Sequence, residues 1–89
     1  MNIKEGILDS LADGGESIIQ IREYLNYLKI DVNKCQLVSE LITLLNQNKI
    51  EIEYPTEFKG CTDFELSKIE DFWFELTKEG RCDWNKIKT

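Results

Sequence analysis

The chain has 89 residues, a formal net charge of −6, 42% hydrophobic and 31% charged residues. That is one small globular domain with a thin core. It excludes a membrane span, which needs about 20 consecutive apolar residues, and it disfavours nonspecific attraction to a polyanion. The opening residues MNIKEGILDS hold acids and no apolar run of signal-peptide type, so the expected location is cytoplasmic. Histidine is absent, and Cys35, Cys61 and Cys82 are scattered without a C-x-x-C pair. This excludes histidine-based acid–base or triad chemistry and leaves no zinc or disulfide pattern. Nine lysines against two arginines, with one alanine, read as the codon bias of an AT-rich bacterial or phage genome.

Three helices open the chain. In the first, Asn2 and Glu5 form a capping-box pair, Ile3, Ile7, Leu8 and Leu11 recur at helical spacing, and Gly14-Gly15 stops it. In the second, Ser17 and Gln20 repeat the box. Ile18, Ile21, Leu25 and Leu28 line one face, Tyr24 and Tyr27 flank it, half-buried with hydroxyls outward, and the end falls near Lys29. Asn33 and Gln36 cap the third. Its apolar stripe is Leu37, Val38, Leu41, Ile42, Leu44 and Leu45, its outer face Gln36, Ser39, Glu40, Thr43 and Gln47, and its terminator Asn48.

The period then changes to two. KIEIEY (49–54) puts Ile50, Ile52 and Tyr54 on one face and Lys49, Glu51 and Glu53 on the other, and Pro55 ends the strand. Residues 55–71 form a long acidic connection with an expected helical turn at Phe64–Ile69, capped by Thr62 or Asp63. FWFEL (72–76) alternates Phe72, Phe74 and Leu76 against Trp73 and Glu75, and pairs with 49–54 as an antiparallel ribbon. Thr77 caps a last helix, in which Gly80, Trp84 and Ile87 share a face and Lys86 and Lys88 sit near the negative end. The expected fold class is α+β: three helices, a two-stranded ribbon and a C-terminal helix in a single domain, 1–89.

This order, with LTKEGRCDW after the second strand, resembles the winged helix-turn-helix family, the MarR and PadR types among them. Leu76, Thr77 and Gly80 match an L-T-x-x-G-x-x-hydrophobic signature, with Trp84 one place late. LVSELITLLNQNKIEIEY resembles that family's third helix running into the first wing strand. The likeness covers roughly residues 3–87. It implies a winged-helix domain whose third helix enters the major groove of DNA. Transferred to this chain, the groove-facing positions are Asn33, Lys34, Gln36, Ser39, Glu40, Thr43 and Gln47.

Charge argues against simple transfer. Lys34 and Lys49 are the cations within reach of phosphates, Glu40 opposes them, and the wing connection is acidic. The GCTDFE stretch (60–65) surrounds a thiol with acids, which does not activate a nucleophile. Glu70-Asp71 reads as a solvated acidic pair. The reading is therefore of a binding module without cofactor, metal or catalytic residues. Its expected role is protein contact, as a homodimer or an acidic inhibitor or immunity-type protein, through Trp73, Tyr54, Phe58, Glu70 and Asp71. The alternative is a DNA-binding regulator that uses helix 33–48, with Lys34, Gln36, Ser39, Thr43 and Gln47 as contacts.

Overall fold

A computed structural model describes residues 1–88, with Lys88 by its backbone alone; the side chain of Lys88 and Thr89 lie outside the described residues. The elements are α1 (Ile3–Ser10), a 3₁₀ turn (Leu11–Asp13), β1 (Glu16–Ser17), α2 (Ile18–Tyr27), α3 (Lys34–Asn46), β2 (Ile50–Tyr54), two further 3₁₀ turns (Thr56–Phe58 and Leu66–Asp71), β3 (Trp73–Leu76) and α4 (Lys78–Lys88). All three expected capping boxes form. Asn2, Ser17 and Asn33 each accept from the backbone N–H three residues on, and the Glu5, Gln20 and Gln36 side chains return the bond. Each helix start thereby satisfies two orphan donors locally. Two of the helix ends are left-handed: Lys29 (φ 62°) follows α2 and Asn48 (φ 57°) follows α3.

The sheet has three strands, not two. β1 lies against β3 with Glu16 opposite Phe74 and Ser17 opposite Trp73, giving the order β1-β3-β2, all antiparallel. Two residues carry no readable alternation, and Ser17 already serves as the cap of α2. Pairing on both sides of β3 steadies a ribbon that would be marginal in isolation. Ser10, at the end of α1, donates its hydroxyl hydrogen to the Glu16 carboxylate and ties β1 to the helices.

β2 departs from simple alternation. Ile50, Glu51 and Ile52 face Leu76, Glu75 and Phe74, but the register then shifts so that Tyr54, not Glu53, stands opposite Trp73. The extra residue is a bulge, and it moves Tyr54 to the outer face. Tyr54 is 59% exposed, whereas Ile50 and Ile52 are fully buried. The expectation that Tyr54 shares their face is thus corrected.

The core joins Ile7, Leu8, Leu11, Ile21, Leu25, Leu37, Leu41 and Leu44 from the helices to Ile50, Ile52, Phe72 and Phe74 from the ribbon. Val38, Ile42 and Trp84 pack at its edge, half-buried. Tyr24 does not turn its hydroxyl outward as expected. It donates to Asp9 Oδ2 at 2.5 Å, while Trp84 Nε1 donates to Asp9 Oδ1 at 2.9 Å. One carboxylate on α1 therefore holds α2 and α4 together. The hydrogen bond to Asp9 and partial burial push the Tyr24 hydroxyl up to about 12.

α4 docks on the turn that ends α3. The Lys49 carbonyl accepts Thr77 N–H at 3.1 Å, the Asn48 carbonyl accepts the Thr77 hydroxyl at 2.5 Å, and Thr77 Oγ1 caps Gly80 N–H at 3.0 Å. A Cβ on Gly80 would lie 1.8 Å from the Lys49 carbonyl oxygen. The glycine of the L-T-x-x-G signature is there because backbone meets backbone. Asp83 adds ion pairs to Lys49 (3.3 Å) and Lys4 (3.6 Å). Partial burial works to raise its carboxyl, but the Lys49 hydrogen bond and the Lys49, Lys4 and Lys86 charges outweigh it and hold Asp83 below the usual carboxylate range.

On the outer sheet face Glu51 stands opposite Glu75. Desolvation, a hydrogen bond shared with Glu75 and its charge raise the Glu51 carboxyl; Lys59, 3.5 Å from Glu75, pulls the other way. An acid raised in the folded state contributes stability below its unfolded value, about 4.3, and loses it as pH rises through the elevated value.

Two outcomes follow in thermal melts. Gly80→Ala destabilises by about 1–3 kcal/mol, because the methyl group must displace backbone. Glu51→Gln stabilises at pH 7 by about 0.2–1 kcal/mol, the range of a cross-strand charge pair, and the gain shrinks as pH approaches 4. A gain that grew on acidification would contradict the Glu51–Glu75 assignment.

Candidate nucleic-acid interface

α3 sets a polar outer strip above an apolar inner one. Leu37, Leu41, Leu44 and Leu45 are buried, and at 3.6 residues per turn Ser39, Thr43, Asn46 and Gln36 fall opposite them, all exposed. Gln47, the C-cap, continues the strip. Several of these groups are already engaged. Gln36 Oε1 accepts from Asn33 N–H at 2.9 Å, which leaves its amide NH₂ to face outward. Thr43 Oγ1 donates back to the Ser39 carbonyl at 3.0 Å. Lys34 forms an ion pair with Glu70.

Two expectations about this face change. Glu40 is half-buried at the edge of the polar strip, one turn from Gln36 and Thr43, and borders an open pocket with Asn2, Ile3, Lys4 and Ile30. Lys49 is engaged with Asp83 and is not a spare phosphate contact. Asn46 and Cys35 belong to the exposed strip and were not singled out from the sequence; the helical spacing 35, 39, 43, 46 would have found them.

Beside the strip runs an open groove of about 620 Å³ between α3 and the 3₁₀ turn Leu66–Asp71. Val38 and Ile42 form one wall, and Leu66, 58% exposed, and buried Ile69 the other. The turn starts later than expected, and Glu65 precedes it with no side-chain cap; Thr62 and Asp63 lie in irregular chain before it. The wing connection thus folds back along α3. Its anchor is aromatic: Phe58 and Phe64 both lie 5.1 Å from Phe72, tilted and edge-on respectively.

The residues expected at a protein contact do not form one patch. Trp73, 40% exposed, and Tyr54 stand side by side across the strands on the outer sheet face. Phe58 turns inward onto Phe72 and leaves that pair. Glu70 faces Lys34 on α3, and Asp71 is exposed at the end of its turn. Among the described residues no group of three or more His, Cys, Asp or Glu side chains is placed to hold a metal ion, and no helix is long and apolar enough to cross a membrane.

The two neighbouring aromatics of β3 should separate by energetics. Phe74→Ala costs about 3–5 kcal/mol, as for a buried ring, whereas Trp73→Ala costs about 1 kcal/mol or less. Chemical denaturation of both variants checks this; equal losses would place Trp73 in the core.

No protein-family model and no curated protein matches the chain. Among solved structures, RosR of H. salinarum superposes with a TM-score of 0.71 at 20% identity, over 99% of this chain and 70% of the RosR chain. Identity at that level speaks for the backbone only, and the backbone is decisive: helix, short strand, two helices and a two-stranded wing in one β1-β3-β2 sheet make this an α+β domain of winged-helix type.

Proposed function

We propose that this domain is a DNA-binding module of the transcription-regulator kind, with α3 as its reading helix. The observation that carries the reading is the α3 strip: Gln36, Ser39, Thr43, Asn46 and Gln47 face solvent together on the helix whose other side is core. Amide and hydroxyl side chains are the uncharged groups that read base edges in the major groove, with Asn and Gln suited to adenine.

Net charge argues against this less than a count of residues implies. The strip has one acid, Glu40, half-buried at its edge. Part of the acidic load lies on the outer sheet face (Glu51 and Glu75), away from the strip, and part in the wing connection, where Glu70 stands against Lys34 at the start of α3. Only the charges farther than about 8 Å are largely screened at physiological salt. The shortage of free cations still sets the character of binding. Few phosphates can be neutralised, so affinity is modest and its salt dependence shallow. Discrimination comes chiefly from base contacts.

A second reading has its own observation. Tyr54 and Trp73 expose two adjacent aromatic rings on the outer sheet face, the kind of residue that anchors protein interfaces. A homodimer, or contact with a basic protein, would use it.

Selection from a random duplex pool at about 50 mM salt, followed by fluorescence anisotropy, tests the first reading. An enriched sequence should bind with a log–log salt slope of only about −1 to −3. Ser39→Ala and Gln47→Ala should each lose about 1–3 kcal/mol of discrimination between selected and random DNA. Failure to bind any duplex, with self-association that Trp73→Ala abolishes, would transfer the function to the aromatic pair.

A further inference from the structure

The wing connection does not project from the body. It returns to α3 and sets Glu70 against Lys34, the first residue of the reading helix. The positive end of a helix, with a lysine at its first position, is where a phosphate docks most readily. Lys34 is the α3 cation on the exposed side, and Lys49 is engaged by Asp83. Around the ion pair, Leu66 and Ile69 of the turn face Val38 and Ile42 of α3 across the groove. The turn packs against α2, faces the flank of α3 across the groove and is joined to α3 at one end by charge.

We infer that the Leu66–Asp71 turn is a carboxylate gate on α3: Glu70 holds the lysine that a DNA phosphate needs, so DNA must displace an internal acid before it binds. The inference rests on the DNA-binding reading and deepens it. Glu70 and a phosphate compete for one ammonium group, and Asp71 adds a second exposed negative charge beside the approach. Both side chains of the pair are more than half exposed. An ion pair so open to solvent adds little to folding. Its removal therefore alters binding without unfolding the domain.

The test is a double-mutant cycle on the full 89-residue chain, read by anisotropy of a labelled mixed-sequence duplex across a salt series. Glu70→Gln should tighten binding about two- to fivefold at about 100 mM salt, the worth of an exposed ion pair, and steepen the salt slope, because the phosphate contact no longer has to break an internal pair. Lys34→Gln should weaken binding. In the Lys34→Gln background, Glu70→Gln should change affinity less than twofold. Wild-type binding that Glu70→Gln leaves unchanged would overturn the gate and keep the DNA reading. Equal tightening in both backgrounds would overturn it too, because a general charge effect would then suffice. If neither wild type nor Glu70→Gln binds at low salt, the gate and the DNA reading fall together.

Discussion

The architecture depends on one backbone-to-backbone approach, that of α4 to the turn after α3. Asn48 leaves the helix in the left-handed conformation, which directs its own carbonyl and that of Lys49 toward Thr77. Thr77 then receives the turn with both its N–H and its hydroxyl, and uses the same hydroxyl oxygen to start α4. No side chain fits between Gly80 and the Lys49 carbonyl. The end of α3, the root of β2, the end of β3 and the start of α4 meet at this junction, and their relative angles are set there. Asp9 performs the complementary task at the other side of the helices, where two hydrogen bonds from Tyr24 and Trp84 converge on one carboxylate. Burial supplies most of the driving force; these polar contacts decide which packing is adopted.

The charge distribution follows from that frame. The helices spend their apolar faces on the core, and the sheet turns its outer face, with Glu51, Glu53 and Glu75, to solvent. The bulge between Ile52 and Tyr54 adds an aromatic pair to that acidic face. The domain therefore has two chemically distinct sides. One is a neutral polar helix strip and the other an acidic, partly aromatic sheet. A single net charge averages them and describes neither.

Local chemistry was legible in the sequence wherever a residue acts on its near neighbours. The three capping boxes, the terminator Asn48 and the cap at Thr77 all depend on side chains within a few positions. The inward set Ile50, Ile52, Phe72 and Phe74 was legible by alternation. What escaped required knowledge of partners far along the chain. β1 is too short to have a period and exists because β3 offers an edge. Tyr54 obeys the alternation of β2 in sequence and breaks it in space, because register belongs to a pair of strands. Tyr24 turns inward because Asp9, fifteen positions away, accepts its hydrogen. Glu40 falls on the outer half of a helical wheel, yet it is half-buried, because residues 2–4 and Ile30 stand near that flank. That the polar strip on α3 is exposed was mostly legible, while the engagement of its groups, that of Lys34 above all, was not.

The anchoring of the wing connection restricts how the gate can open. Phe58 and Phe64 pack on Phe72, and Ile69 is buried, so the ends of the connection are tied into the core. Swinging the whole segment away would expose several large apolar side chains, each worth about 1.5–3 kcal/mol. That is more than one phosphate contact returns. Leu66 and Glu70, by contrast, sit at the rim and are already exposed. Opening is therefore an exchange of partners at Lys34, with the turn left in place. A gate of this type costs little to open and regulates weakly but continuously: its setting is the balance between one carboxylate and the local density of phosphate, and it shifts with ionic strength together with the binding it controls.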